Sequence, residues 1–154
     1  MITKLFLTLI LSVVSFAYAR SQEINPEYDS TLAKSMQADD YGMKHYVFAI
    51  LKTGSNNITD KNVLDTIFAG HMYNINRLAE NGSLVLAGPF GENDKNFRGI
   101  FVFNVPTVEE ALELVKSDPA VREKVLEVEL YPWYGSATLL DIMKLHNKIS
   151  KYNF

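Results

Sequence analysis

Cysteine is absent from the 154-residue chain. Without it the protein cannot form disulfide bonds, use a thiol nucleophile, or bind zinc or an iron–sulfur cluster through thiolates. Histidine is scarce as well, and the three histidines, His45, His71 and His146, lack the spacing of metal ligands. The sequence also has no nucleophile-elbow serine, phosphate-binding loop or dinucleotide-binding fingerprint. We therefore expect neither a metal nor a cofactor.

Clustered positive charge is missing too. The 15 basic and 18 acidic residues give a formal net charge of −3, and no basic patch stands out. Nucleic acid is therefore not an expected partner. The residues that are present, 47% apolar and 21% charged, are typical of one globular domain at a length of 154 residues.

One apolar run is present, in residues 5–17 near the N-terminus. Lys4 precedes it and Ala17-Tyr18-Ala19 follows it, which is the pattern of a signal peptide cleaved before Arg20. We therefore expect residues 1–19 to be a signal peptide, and the protein to be exported to the periplasm or the extracellular space. Membrane contact is expected only before cleavage. An uncleaved membrane anchor is the alternative, but the run is shorter than the about 20 residues that span a bilayer.

Three segments follow the signal peptide. Residues 20–42 are polar and aperiodic, contain the breaker Asn25-Pro26, and predict a flexible polar leader. Residues 43–135 predict the folded domain. Residues 136–154 predict a C-terminal amphipathic helix, with apolar residues at helical spacing: Leu139, Ile142, Met143 and Ile149.

The hydrophobic pattern of the domain predicts the element order β-α-β-β-α-β. The first strand is apolar on both faces, so it is predicted to be central, and the helix after it ends at Asn81-Gly82. This order is the ferredoxin-like α+β fold, an antiparallel sheet with both helices on one face. The predicted strands are Met43–Lys52, Leu84–Ala87, Phe97–Val105 and Val125–Tyr134; the predicted helices run from a cap at Thr59 or Asp60 to Glu80 and from a capping box at Thr107 to Lys116; Gly88–Asn96 is a predicted loop.

His71 lies at the centre of the apolar stripe of the first long helix. An imidazole there is either a general acid or base, or a core histidine bonded to a backbone carbonyl. Asp118, directly before Pro119, is the candidate partner that would orient His71 and stabilise its protonated form. An Asp-Pro pair is also a good helix start, so Asp118 could be an N-cap instead. A carboxylate has enough acceptor positions for both roles.

Two further segments are candidate substrate-binding residues. Gly88, Pro89 and Phe90 could form a pocket wall, since glycine permits a close approach of ligand to backbone, or they could be a tight strand exit. Trp133 could stack on a flat ligand, or pack at an edge or interface. Weaker candidates are Arg98, His45 and Tyr73.

A series of short motifs runs through the domain in a fixed order: His71, Asn81-Gly82, Leu86-Ala-Gly-Pro-Phe90, Gly99, Thr107-Val-Glu-Glu-Ala111, Ser117-Asp118-Pro119 and Tyr131-Pro-Trp133. In this order and spacing, residues from about Met43 to Tyr134 resemble the YciI-like (YCII-related) domain family. The resemblance implies a dimeric α/β barrel of the ferredoxin-like type, and therefore a homodimer. It also implies a catalytic dyad of His71 and Asp118, and activity on small, often ring-derived or halogenated molecules. The signal peptide, leader and C-terminal helix depart from the short cytoplasmic members of that family.

Two functions follow as hypotheses. The first is an exported, cofactor-independent acid–base enzyme of isomerase or lyase type, which acts on a small organic acid or lactone through His71 and Asp118. The second is a non-catalytic dimeric module that binds a small ligand or a partner protein, with the C-terminal helix as a dimer clasp.

Overall fold

The computed structural model describes residues 24–152. The predicted signal peptide lies outside this range, as do the first residues of the predicted leader and the last two residues of the predicted C-terminal helix. Within the range, no helix is long and apolar enough to cross a membrane. The elements are α1 (Ser30–Ser35), β1 (Met43–Thr53), α2 (Lys61–Glu80), β2 (Leu84–Pro89), β3 (Phe97–Phe103), α3 (Val108–Lys116), α4 (Pro119–Arg122), β4 (Leu126–Ser136), a 3-10 helix (Ala137–Asp141) and α5 (Ile142–Ile149).

The four strands form one antiparallel sheet in the order β2-β3-β1-β4. β1 is central, as its two apolar faces predict. It pairs with β4 along its whole length, from Met43 opposite Ser136 to Thr53 opposite Leu126, and with β3 on its other side. β2 forms one edge of the sheet. The prediction of a ferredoxin-like α+β fold with an added C-terminal helix is confirmed.

The two faces of the sheet bury different sets of side chains, because successive side chains of a strand point to opposite faces. One face packs against the helices and forms the main core, which includes Val47, Ala49, Leu51, Ile67, Leu78, Phe101, Phe103, Ala111 and Val115. The other face holds a smaller cluster of Tyr46, Val85 and Val102, and Leu139 and Leu140 of the 3-10 helix pack against it.

Helix α2 begins and ends at the residues that its caps predict. The Asp60 side chain accepts hydrogen bonds from the backbone N–H groups of Asn62 and Val63 at the start of α2. The same helix ends at Asn81, and Gly82 follows with φ of 77°, a left-handed conformation that favours glycine. α2 is therefore fixed at both ends by local sequence, which sets the position of His71 along it.

Several bounds differ from those predicted: β1 ends at Thr53 rather than Lys52, β3 ends at Phe103 rather than Val105, and β4 begins at Leu126 rather than Val125. β2 includes Gly88 and Pro89, which were predicted as loop, because they pair with Ile100 and Gly99 of β3. β4 continues to Ser136, opposite Met43, so the C-terminal helix begins at Ile142 after a 3-10 turn.

The predicted leader contains α1, a helix that the sequence analysis did not predict. Asp29 caps this helix by accepting hydrogen bonds from the N–H groups of Thr31 and Leu32, at 2.8 and 2.9 Å. The aspartate cap is the local reason that a short helix forms in an otherwise polar segment. Flexibility of the leader stays a prediction.

Candidate active site

His71 on α2 and Asp118 at the start of α4 are hydrogen-bonded partners. The distance from His71 Nδ1 to Asp118 Oδ2 is 2.7 Å. The side chain of His71 is 12% exposed and that of Asp118 is 1% exposed. The other carboxylate oxygen, Oδ1, accepts a hydrogen bond from the N–H of Ala120 at 2.9 Å and caps α4. Asp118 thus pairs with the imidazole and caps a helix at the same time, one oxygen for each contact.

Gly70 explains how α4 comes this close to α2. A Cβ added at Gly70 would lie 2.9 Å from Cγ of Pro119, closer than carbon atoms pack. The missing side chain therefore lets Pro119 rest on α2 and brings Asp118 beside His71. Gly70 was not predicted as important for the site. A signal was present, because glycine inside a helix destabilises it by about 1 kcal/mol relative to alanine, so a glycine there indicates a close packing contact.

Asn74 connects the pair to a wider network and was also missed. This buried amide donates to Asp118 Oδ2 at 3.4 Å. Its carbonyl oxygen accepts from Arg77 Nη2 at 2.7 Å and from Ser117 Oγ at 2.9 Å. Asn74 lies three residues after His71 on the same side of α2, so a polar residue at helical spacing within the apolar stripe was the available signal.

Aromatic rings hold the imidazole on two sides. The ring of Phe68 meets it edge-on with centroids 5.9 Å apart, and the ring of Phe101 stacks on it at 6.0 Å. These contacts pack the imidazole against apolar rings beside its bond to Asp118. A charge-assisted hydrogen bond is stronger in such apolar surroundings than in water.

A cavity of about 540 Å³ opens beside His71. It lies between α2, β2, the start of β3 and α5, and its lining is mostly apolar. Four polar side chains line it: His71, Asn76, Arg98 and His146. Asp118 is behind His71 and is not part of the lining. Because Nδ1 is bonded to Asp118, a hydrogen bond from the ring to a molecule in the cavity would have to use Nε2.

Two of the predicted substrate-binding residues line this cavity and two do not. Gly88 and Pro89 are on its β2 side, and a Cβ at Gly88 would meet no atom within 4 Å. Phe90 instead lines a separate surface cavity formed by the loop before β3. Trp133 lies on the other face of the sheet because it pairs with Tyr46, and their ring centroids are 5.8 Å apart.

Among residues 24–152, no three histidine, aspartate or glutamate side chains come together in a group that could bind a metal ion.

Comparison with known proteins assigns the domain. A family model described as the YCII-related domain matches residues 43–134, which are more than half of the chain. This protein belongs to the YCII-related domain family. A similar solved structure is the 5-chloro-2-hydroxyhydroquinone dehydrochlorinase (TftG) from Burkholderia phenoliruptrix AC1100, in complex with 2,5-dihydroxybenzoquinone. That likeness has a TM-score of 0.41 and 18% sequence identity, and covers 56% of this chain and 92% of the other. No curated protein matches the chain.

The YCII-related domain contains the whole polar network but only part of the cavity wall. His71, Asn74 and Asp118 all lie within the matched residues 43–134. Three cavity-lining residues of α5, namely Ile142, Met143 and His146, lie beyond them. In this member of the family, a segment outside the domain completes the cavity.

Proposed function

We propose that this protein is a cofactor-independent acid–base enzyme of isomerase or lyase type, acting on a small organic molecule in the cavity beside His71. One observation supports the proposal most: an imidazole that lines a cavity has its far nitrogen held by a buried carboxylate, 2.7 Å away. A carboxylate in this position fixes the tautomer and orientation of the imidazole and stabilises the imidazolium. The cavity volume of about 540 Å³ is in the range of small-molecule sites.

The proposed reaction begins when His71 Nε2 removes a proton from a carbon of the bound molecule. In an isomerisation, the imidazolium returns the proton to a different carbon, and the double bond shifts. In an elimination, the electron pair of the broken C–H bond forms the new double bond, and the leaving group departs with its own electron pair. Asp118 remains bonded to the Nδ1 hydrogen throughout and balances the positive charge of the imidazolium.

The surroundings of the pair favour this role over a core histidine. A histidine that is only structural needs a hydrogen-bond partner but no access to a cavity. His71 has a hydrogen-bond partner and also lines a cavity. That partner, Asp118, is held in position by the hydrogen bond from Asn74 and by the close packing of Gly70 on Pro119. Burial of the Asp118 carboxylate at 1% exposure costs desolvation free energy. A catalytic role of the imidazole explains this cost better than the capping of a four-residue helix does.

A homodimer and export are further parts of the proposal. The face of the sheet opposite the helices leaves Tyr131 and Trp133 partly exposed, 46% and 38%. An aromatic surface of this kind supports burial against a second copy. Light scattering of the wild type and of Trp133→Glu tests this, with a shift from dimer to monomer expected.

For export, we expect the secreted protein to have the mass of a chain that starts at Arg20.

Turnover of a compound panel tests the enzyme proposal. Small carboxylic acids, lactones and halogenated phenols are incubated with wild type, His71→Ala and the matched control His45→Ala, whose imidazole is on β1 against Tyr134. We expect at least one compound to react, with the rate falling about 10²- to 10⁴-fold in His71→Ala and staying unchanged in His45→Ala. Equal rates in wild type and His71→Ala would favour the non-catalytic binding module instead.

A further inference from the structure

A chain of hydrogen bonds leads from the His71–Asp118 pair to the protein surface at Arg77. The exposed Arg77 side chain places Nη2 at 2.7 Å from Asn74 Oδ1 and at 3.1 Å from Ser117 Oγ. Asn74 is 5% exposed and donates to Asp118 Oδ2. Neither Arg77 nor Asn74 is among the lining residues of the cavity that the structure describes, so an effect of either on a bound molecule passes through Asp118 and His71.

Arg77 determines which way the Asn74 amide faces. A guanidinium can only donate hydrogen bonds, so the atom of Asn74 that faces it must be the carbonyl oxygen. Ser117 does not determine this alone, because its single hydroxyl hydrogen can go to Asn74 at 2.9 Å or to the carbonyl of Leu114 at 2.6 Å. The NH₂ group of Asn74 therefore faces Asp118, 3.4 Å away.

Asp118 consequently accepts hydrogen bonds on both of its oxygens. The Asn74 amide donates to Oδ2, and the backbone N–H of Ala120 donates to Oδ1 at 2.9 Å. A carboxyl group that accepts on both oxygens has the arrangement of an ionised carboxylate. The hydrogen in the 2.7 Å contact with His71 then belongs to Nδ1, and Nε2 of the neutral ring is left as a base.

The buried carboxylate also needs a positive charge near it, because burial of an unpaired charge is costly. Two groups could supply that charge: the imidazolium of His71 or the guanidinium of Arg77. A His71 that supplied it would already be protonated and could not remove a proton from a substrate. Because Arg77 is connected to Asp118 through Asn74, His71 does not have to be the cation.

We propose that Arg77 and Asn74 are positioning residues of this site: Arg77 orients the Asn74 amide towards Asp118 and balances the charge of that carboxylate, so that His71 stays a neutral base. The inference rests on the proposed function only in taking His71 as the base. Its effect on the imidazole is present without a substrate and can be measured without one.

An NMR titration of the His71 ring in the full-length protein tests the inference. In Arg77→Met, we expect the midpoint of this titration to rise by about 0.5 pH unit, because loss of a partly screened positive charge makes protonation of the ring easier. Arg77→Lys keeps a cation that only donates, so it should restore most of the shift. The other titratable side chains of the cavity lining, Arg98 of β3 and His146 of α5, are kept in every variant.

Arg122→Met is the matched control. Arg122 is also an exposed arginine, lies four residues after Asp118 and pairs with Glu123 instead of the network. Its replacement should move the His71 midpoint much less than Arg77→Met does.

A double-mutant cycle tests whether Arg77 acts through Asn74. Asn74→Leu keeps the approximate size of the side chain and removes the amide, so it should raise the His71 midpoint as well. When Asn74 is already leucine, Arg77→Met should add little, whereas two independent effects would add in full. Because Arg77 is exposed, Arg77→Met and Arg77→Lys test the inference even if Asn74→Leu fails to fold.

The outcomes separate this inference from the enzyme proposal. An unchanged midpoint in Arg77→Met, an equal rise in Arg122→Met, or full additivity in the cycle overturns the inference, even if His71→Ala abolishes turnover. The expected shifts support it, even if no compound in the turnover panel reacts. With a compound that reacts, kcat/KM of Arg77→Met should be about threefold lower on the acidic side of the midpoint and equal to wild type on the basic side. An equal loss at every pH would indicate a merely structural role and would overturn the inference.

Discussion

Two polar clusters of this protein each contain a carboxylate, but the surroundings of the two carboxylates differ. The first joins His71, Asp118 and Asn74 between helices α2 and α4. The second joins Lys52, Glu129 and Tyr131 on strands β1 and β4: Lys52 forms an ion pair with Glu129, and the Tyr131 hydroxyl donates to the same carboxylate at 2.9 Å. The carboxylate of the first cluster is 1% exposed, whereas that of the second is 42% exposed.

The surface cluster shows that strong pairing alone does not mark a functional site. The hydrogen bond from Lys52 lowers the pKa of Glu129, the same bond raises the pKa of Lys52, and the bond to Glu129 raises the pKa of the Tyr131 hydroxyl. All three groups are in contact with water, which screens their interaction. The buried cluster differs because an apolar cavity adjoins it, and a group that faces such a cavity can act on a bound molecule.

Removal of the buried carboxylate should cause the largest loss of stability. Asp118→Ala leaves His71 Nδ1 without its acceptor and α4 without its N-cap. We expect the free energy of unfolding to fall by about 2–4 kcal/mol, from an unsatisfied buried donor and a lost cap. Urea denaturation measures this loss. The matched change in the surface cluster, Glu129→Ala, should lower the unfolding midpoint much less, because water screens that cluster. Equal losses in the two variants would remove the distinction between the clusters.

Gly70→Ala should have an intermediate effect. The new methyl group would meet Cγ of Pro119 at 2.9 Å and push α4, with Asp118, away from His71. Overpacking costs about 1–3 kcal/mol, and the better helix propensity of alanine offsets about 1 kcal/mol of that. We expect a net loss of stability and a changed NMR signal of the His71 ring. Gly88→Ala is the control for stability, since its Cβ would meet no atom within 4 Å. A more stable Gly70→Ala variant with an unchanged His71 signal would show that the close approach is not needed.

The contribution of the surface cluster to stability should be small and should depend on pH and salt. The pKa of Glu129 in the folded protein is below its ordinary value of 4.5. Its contribution to stability is therefore present above that pH and is lost as the pH falls through the folded pKa. Lys52→Met should raise the pKa of Glu129 towards 4.5, although the bond from Tyr131 still lowers it. A carbon-13 NMR titration of the carboxyl group measures the change, and added salt should produce a similar rise in wild type. A pKa that neither the substitution nor salt moves would contradict the assignment to Lys52.

Local sequence was sufficient for most of the fold. The alternation of apolar residues located the strands, the two apolar faces of the first strand placed it at the centre, and the caps at Asp60 and Asn81 located α2. These features depend on residues that are near one another in the chain. Features that depend on a distant partner were missed: Gly88 and Pro89 extend β2 only because β3 lies beside them.

The candidate site was predictable in part for the same reason. His71 and Asp118 each stand out locally, one as an imidazole in an apolar stripe and the other as an aspartate before proline. Sequence could not say that Asp118 uses one oxygen for each contact, nor that α5 closes the cavity, since both follow from tertiary packing. Alternation along β4 was enough to place Trp133 on the face opposite Leu126, but its contact with Tyr46 depends on the register of β4 with β1.

The most direct test of the central claim is the ratio of kcat/KM for Asp118→Asn to that for Glu129→Gln, on a compound that the wild type converts. Both changes replace a carboxylate by an amide of the same size, and asparagine at residue 118 can still cap α4. The account predicts a loss of at least about tenfold in Asp118→Asn, because the imidazolium of His71 loses its counter-charge, and a change within about twofold in Glu129→Gln. Equal values for the two variants would contradict the claim that the buried pair is the catalytic one.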